Sequence, residues 1–367
     1  MATTESQTDL SLDTAAELAA EEHGRPIEGR SPWLLAWWRL RRNYVALGFL
    51  VMFVVICVAC ALAPVYSQHV SGMGVNDTNI GGVVHEGGKT IPVVSKGGGI
   101  KVGANGQIQS VSAAGIPIGP QWWHAGGHYV LGADGLGRDI ATRLLYGGVN
   151  SLKVGLGSAV ICTILSVLLA ALAAYYGGAV DWIITRFFDI IWAFPVILLG
   201  IALGTALSVN GFHHFGLNLS SSSLWIPTVI IAYVYIPYMG RPIRGQILSL
   251  REKEFIEAAV AQGAGAARIM FAELLPNIAS SVLVLFTLIV ANDILTEAAL
   301  SFLGAGVQPP NPSWGTLIAQ GQNTIVTAPW LGIAPGIAIV LTVLSLNIFG
   351  DGLRDALDPR AKIRIEH

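Results

Sequence analysis

EKEFIEAAVAQGAGAARIMFAELLP, residues 252–276, lies between two membrane-length apolar segments. It is charged and Ala-rich in a chain otherwise suited to lipid, and such a loop has to touch something outside the membrane. Residues 250–262 read as a helix on which Ala258, Ala259 and Ala261 leave a low surface that another protein's backbone can approach closely. Glu257 can fix orientation by pairing with a basic residue or a backbone donor. Gly263 and Gly265 permit a sharp reversal, because Gly tolerates positive φ at little cost. Residues 268–274 can then form a second short helix. Pro276 sits where a new helix can begin, its missing donor being unneeded in a first turn. Such a unit across the membrane surface would carry rigid-body motion from a partner into the spans. An ordinary amphipathic linker is the plainer alternative.

Composition points to the same environment. Of the 367 residues, 53% are hydrophobic and 12% charged, about half the charged fraction usual in soluble domains. The net charge of −2 argues against a nucleic-acid partner, which needs a basic face. Cys57, Cys60 and Cys162 lie inside apolar runs and read as small fillers, not as metal or redox groups. Residues 1–23 are polar and acidic, with no basic stretch leading into an apolar one, which predicts a disordered tail and not a signal peptide. The sequence has no nucleotide-cradling P-loop.

A span needs about 20 mostly apolar residues. Six segments qualify: 44–64, 154–176, 187–207, 224–239, 278–300 and 331–350. The fourth is short and holds Pro227 and Pro237, which predicts a kinked or partly broken helix. Arg39, Arg41, Arg42, Arg186, Arg241, Arg244, Arg251, Lys253, Arg268, Arg354, Arg360, Lys362 and Arg364 fall on one side if the spans alternate. That places both termini and the 241–276 loop in the cytoplasm. Arg138, Arg143 and Lys153 oppose the rule, but the loop before the second span is long, and long loops cross largely regardless of charge. SPWLLAWWRLRR (31–42) combines tryptophans, leucines and arginines, as does a segment lying in the interface or an ordinary aromatic-belted flank.

The outer loop is Gly-rich to about residue 120, with alternating pieces at 90–94 and 107–111. These fit either a small packed β excursion or a mobile loop. His124 and His128 read as solvent-exposed residues, not metal ligands. Asp293 and Glu297, four apart in the fifth span, share one helix face. Carboxylates at such depth face protein or water and often mark a pathway. Asp293 is therefore a candidate for an outer gate or cavity, with packing as the competing role, and Glu297 reads as the more structural of the two. Asp189 is read as a cap or snorkelling group. Pro309-Pro310-Asn311-Pro312 predicts a rigid turn, followed by a short helix over 316–322.

The chain resembles a specific family. LGADGLGRDIATRLLYGG (131–148), GGAVDWIITRFFDIIWAFP (177–195), REKEFIEAAVAQGA (251–264), EAALSFLGAGVQPPNPSWG (297–315) and NIFGDGLRDALDPR (347–360) are similar to the second, C-type permease subunit of dipeptide and oligopeptide ABC importers. Glu257-Ala258-Ala259, Gly263 and Leu275-Pro276 stand at the spacing of that family's EAA signature. The resemblance implies an all-α polytopic fold, the type I ABC importer transmembrane domain, with five core helices and one N-terminal helix. The chain then divides into a cytoplasmic tail (1–30), an interfacial segment (31–43), a first transmembrane helix (44–66), an extracytoplasmic loop and insert (67–150), a core domain (151–350) and a cytoplasmic tail (351–367).

By the same resemblance, Glu257, Ala258, Ala259, Gly263, Ala264 and Pro276 belong to the element that sits against an ATPase. The implied partners are a homologous second permease, two ATP-binding subunits, an extracytoplasmic peptide-binding protein and membrane lipid. ATP and Mg would bind to the ATP-binding subunits, with no cofactor and no catalytic residue on this chain. The implied location is the bacterial cytoplasmic membrane. The insert at 67–120 is longer than the family's usual loop. YGGVNSL (146–152) lacks the basic residue usual in that stretch, and Lys153 follows it. Cargo stays open, since relatives carry nickel complexes or glutathione. An ion-coupled secondary transporter using Asp293 and a membrane scaffold or receptor are the competing classes.

Overall fold

A computed structural model describes residues 32–86, 89–95, 101–102, 108–110, 115–122, 128–214 and 217–358. The acidic tail, His124 and residues 359–367 lie outside them. Helix α1 (Pro32–Arg42) buries Ala36 and Leu40 and leaves Trp37 and Trp38 more than half exposed. Asn43 ends it and caps the next helix, accepting from the Ala46 amide at 3.1 Å. Helix α2 (Tyr44–Ala61) and the short α3 (Ala63–Tyr66) cover the first expected span and lead into a π turn at Ser67–Ser71.

The described residues of the insert include two antiparallel hairpins. β1 (Val83–Glu86) pairs antiparallel with β2 (Lys89–Pro92), and β3 (Lys101–Val102) with β4 (Ile108–Ser110). Val84, Val93, Ile118, Tyr129 and Ala133 form a small buried cluster beneath the first hairpin. Arg143 ties the insert down by donating to the Val75 carbonyl (3.1 Å), Asn76 Oδ1 (3.3 Å) and Gln320 Oε1 (3.2 Å). Arg138 Nε donates to Asp134 at 2.6 Å. The two arginines that oppose the charge rule are thus structural groups of the insert.

Helix α4 (Ile140–Tyr176) starts well before the expected second span, so residues 140–150 are helix and not loop. Asp139 explains the start: its carboxylate accepts from the Thr142 amide at 2.8 Å and the Thr142 hydroxyl at 2.6 Å, an N-cap arrangement. The third expected span, 187–207, is not a continuous helix. Helix α5 (Gly178–Trp192) and helix α6 (Val196–Asn210) meet at a bend of 87°. Pro195 is the cause, since it cannot donate and biases the residue before it away from helix. After a hairpin of β5 (Phe212–His214) and β6 (Leu217–Leu219), helix α7 (Trp225–Arg251) carries Pro237 and Pro242 in its interior without a break. The break foreseen in the fourth span is in the third instead.

Helix α8 (Glu254–Ala261) follows, then α9 (Ala266–Arg268), a π segment (Ile269–Leu274) and α10 (Leu275–Phe302). Helix α11 (Trp314–Gln322), closed by a Ser313/Thr316 capping box, and α12 (Trp330–Leu357) complete the described chain. Among the described residues, four helices are long and apolar enough to cross a membrane, and a fifth crossing is present if the bent pair counts as one. Helix α7 is 27 residues long, but Arg241, Arg244 and Arg251 dilute its second half. The core lies where α4, α7 and α10 pack, around Val154, Cys162, Ile231, Met239, Ile243, Val290 and Ile294. Arg39 of α1 donates to the Asp358 carbonyl at 2.9 Å, so α1 and the end of α12 share one end of the bundle.

Candidate functional site

The loop between α7 and α10 is built differently from a continuous helix over 250–262. Helix α7 ends at Arg251, Glu252 and Lys253 form a break, and α8 begins at Glu254. One residue of α8 is buried, Ile256, which packs with Ile269 and Leu274 of the π segment. Glu257, Ala258 and Val260 are exposed, Ala259 is half-buried, and Glu257 has no partner among the described residues. Phe255, Val260 and Phe271 are 40%, 56% and 58% exposed, leaving an uncovered apolar surface beside the alanines.

Helix α8 closes on a Schellman turn. The Ala264 amide donates back to the Ala259 carbonyl (3.1 Å) and the Gly263 amide to the Val260 carbonyl (2.9 Å). This geometry needs a left-handed residue between them, and Gly263 has φ of +77°. Gly265 plays no part in the reversal. Its φ of −71° and ψ of 160° are ordinary extended values at the start of α9. Residues 268–274 are also not a separate helix, because the π segment runs directly into α10. Pro276 stands in the first turn of α10, exposed. The wider winding before it accommodates a residue that cannot donate to the preceding turn.

Three arginines of α7, read from sequence only as a topology signal, clamp the neighbouring elements near this loop. Arg244 makes a two-pronged ion pair with Asp181 of α5. Arg241 donates to Asp189 at 2.6 Å and lies over the Trp192 ring at 4.2 Å. Arg251 donates to the Ala174 carbonyl near the end of α4 at 3.0 Å. Asp189 also accepts from Arg186 at 3.0 Å, so it is an ion-pair partner instead of a cap. Each contact made by the three α7 arginines joins segments more than 50 residues apart, which no local pattern announces.

Asp293 and Glu297 sit far from the α8 turn and share one face of α10, both with no exposure within the chain. Asp293 accepts from the Ser158 hydroxyl of α4 at 2.7 Å. Glu297 accepts from Ser301 at 2.6 Å, and Ser301 in turn accepts from the Val307 amide at 2.9 Å, organising the loop after α10. Both carboxyl groups lie inside the packed chain, and Asp293 Oδ1 and Glu297 Oε2 have no hydrogen-bond partner among the described residues. Of the two histidines set aside as ligands, the described one, His128, is exposed and its ring Nδ1 lies 2.7 Å from the Ser71 carbonyl.

The described residues form a bundle of apolar helices with α8 exposed at the end that carries the arginines of α7, the build of an integral membrane protein. Residues 163–363 match the family model described as binding-protein-dependent transport system inner membrane component, and residues 31–78 match the N-terminal TM domain of oligopeptide transport permease C. The chain belongs to this family of ABC importer permeases and has its type I transmembrane fold. Among curated relatives, the dipeptide transport system permease protein DppC of Alkalihalophilus pseudofirmus is 44% identical over 63% of this chain and 72% of its own. The glutathione transport system permease protein GsiD of Pectobacterium atrosepticum is 41% identical over 63% and 73%. The di/tripeptide transport system permease protein DppC of Pseudomonas aeruginosa is 40% identical over 66% and 76%. A solved structure of the MetNI methionine ABC transporter, in inward-facing form, aligns with a TM-score of 0.47 at 18% identity over 59% of this chain and 96% of that one.

Proposed function

We propose that this chain forms half of the translocation pathway of an ATP-driven importer of short peptides, and that α8 with its Gly263 turn receives the stroke of a separate ATPase. The observation that carries this is α8 itself: a helix held by one buried side chain, with Glu257, Ala258 and Ala259 beside exposed Phe255, Val260 and Phe271. Small side chains flanked by uncovered apolar groups suit a helix that lies in another protein's groove.

The assembly in this reading contains a homologous second permease, two ATP-binding subunits that hold ATP and Mg, and an extracytoplasmic binding protein that delivers cargo. Both termini and the α8 turn face the cytoplasm. The shared end of α1 and α12 supports a common side for the termini. Closure of the ATPases on ATP draws the two coupling helices together. The Arg241, Arg244 and Arg251 clamps then pass the motion from α7 to α4 and α5, and the spans rock outward until hydrolysis resets them. Peptide cargo is supported by the relatives named for dipeptides and di/tripeptides, and the relative named for glutathione extends the range to a peptide-like solute.

The test is purification of the tagged chain in mild detergent with ATPase assayed on the eluate. Recovery of a second permease and ATP-binding subunits, with activity raised by binding protein and peptide, is the expected result. A chain that purifies without any ATPase refutes the reading.

A further inference from the structure

A cleft of about 570 Å³ opens on the outer surface of the bundle between α2, α4 and the first residue of α7. Its walls are apolar, from Cys57 of α2, Leu152, Leu156 and Val160 of α4, and Trp225. Its single charged wall residue is Lys153, which is exposed and has no ion-pair partner among the described residues.

The depth of this cleft follows from helix lengths. From Lys153 to the end of α4 at Tyr176 is about 35 Å at 1.5 Å per residue. Tyr176 lies beside Arg251, at the end of the bundle that carries the α8 turn. Lys153 therefore stands about one hydrocarbon thickness away from that end, at the opposite headgroup boundary. The 18 residues of α2, starting beside Arg41 and Arg42, bring Cys57 and Cys60 to a similar level. Trp225, 59% exposed at the start of α7, has the interfacial position that indole rings favour. Below Lys153, the exposed side chains Leu156, Val160, Ile164 and Leu168 continue down one face of α4 as an apolar track.

A lone cation at headgroup depth above an apolar cleft and track is complementary to one kind of molecule. We infer that the cleft between α2 and α4 binds an anionic phospholipid of the leaflet opposite the α8 turn, with its phosphate on Lys153 and an acyl chain in the cleft. Cleft volume falls in the ligand-sized range. A lysine there lengthens toward the headgroups instead of crossing hydrocarbon, and a phosphodiester supplies the charge that no side chain of the described protein supplies. The inference needs only that the chain spans a membrane, and does not depend on the cargo or on the α8 reading.

The experiment is native mass spectrometry of the purified protein, with the subunits that accompany it, after exchange into equal phosphatidylglycerol and phosphatidylethanolamine. The wild-type protein is expected to retain phosphatidylglycerol preferentially. Lys153→Ala should lower that retention about fivefold, the effect of one lysine near an anionic headgroup, while Lys153→Arg preserves it. Leu156→Trp, which fills the cleft without touching the charge, should lower it as well. Equal retention of the two lipids by the wild-type protein overturns the inference without recourse to any variant. Unchanged retention in Lys153→Ala or in Leu156→Trp, or efficient cross-linking of Cys57 to the second permease across the cleft, overturns it too.

Discussion

Gly263→Val isolates the backbone of the proposed coupling turn from every packing effect. A Cβ at Gly263 would meet nothing within 4 Å, and the same holds at Gly265. With space equal at the two positions, the main difference is conformation: φ is +77° at Gly263 and −71° at Gly265. A left-handed L-residue costs about 1–2 kcal/mol, with β-branched side chains at the upper end. Opening the turn instead forfeits the bonds from Ala264 to Ala259 and from Gly263 to Val260, about 0.5–1.5 kcal/mol each. Either way Gly263→Val penalises the closed turn by about 2 kcal/mol, roughly a thirtyfold change in its population. Gly265→Val should cost less, under about 1 kcal/mol, since valine accepts the extended backbone and Gly265 makes no side-chain cap bond at the start of α9. The assay is peptide uptake and binding-protein-stimulated ATPase in proteoliposomes, after confirming insertion and subunit recovery. The expected outcome is ATPase activity uncoupled from uptake in Gly263→Val and normal coupling in Gly265→Val. Normal uptake in Gly263→Val, or equal damage from both variants, refutes the argument.

Other consequences can be measured separately. Arg244→Gln and Asp181→Asn should each lower the melting temperature of the purified protein, with a double-mutant coupling of about 0.5–1 kcal/mol for a partly exposed, two-pronged pair; additive losses would show the pair to be uncoupled. Asp139→Ala should destabilise the start of α4 by about 0.5–2 kcal/mol, whereas Asp139→Asn keeps the cap. Burial raises the Asp139 carboxyl above the ordinary range, outweighing the opposing Thr142 hydrogen bonds. Its proton is therefore held to higher pH in the folded chain than in the unfolded one, and the wild type loses stability as pH rises from the ordinary carboxylate value to the raised one. Melting curves of Asp139→Asn should lack that component. Asp293→Asn should leave uptake unchanged across peptides of different charge if the carboxyl group only packs against Ser158; a loss confined to charged peptides would place it on the pathway.

Six apolar runs qualified and the described residues hold four such helices, or five with the bent pair; the rough position of those four was legible because lipid leaves the backbone few choices. An apolar run of about 20 residues must close its own hydrogen bonds as a helix, and α2, α4, α10 and α12 each contain such a run. The short helix after the proline turn and the spacing of the 251–276 loop were legible for local reasons too, through Pro, Gly and Ser/Thr chemistry. Pro195 was equally visible, yet the apolar run across it hid the 87° bend, because hydropathy is blind to helix direction. Which of two nearby glycines turns the chain was also undecided, since Gly263 and Gly265 offer the same freedom and only the Schellman bonds select one.

Sequence alone determined that this protein lives in a membrane, which family it resembles and where its charged loop lies between the apolar runs, all properties carried by contiguous residues. The tertiary structure alone decided that Asp293 and Glu297 are enclosed by α4 and α10, that the arginines of α7 grip α4 and α5, that Arg143 pins the insert to Gln320, and that Lys153 borders an apolar cleft with no ion-pair partner among the described residues. Each of these depends on side chains brought together from segments tens to hundreds of residues apart, and such meetings are set by how the helices pack.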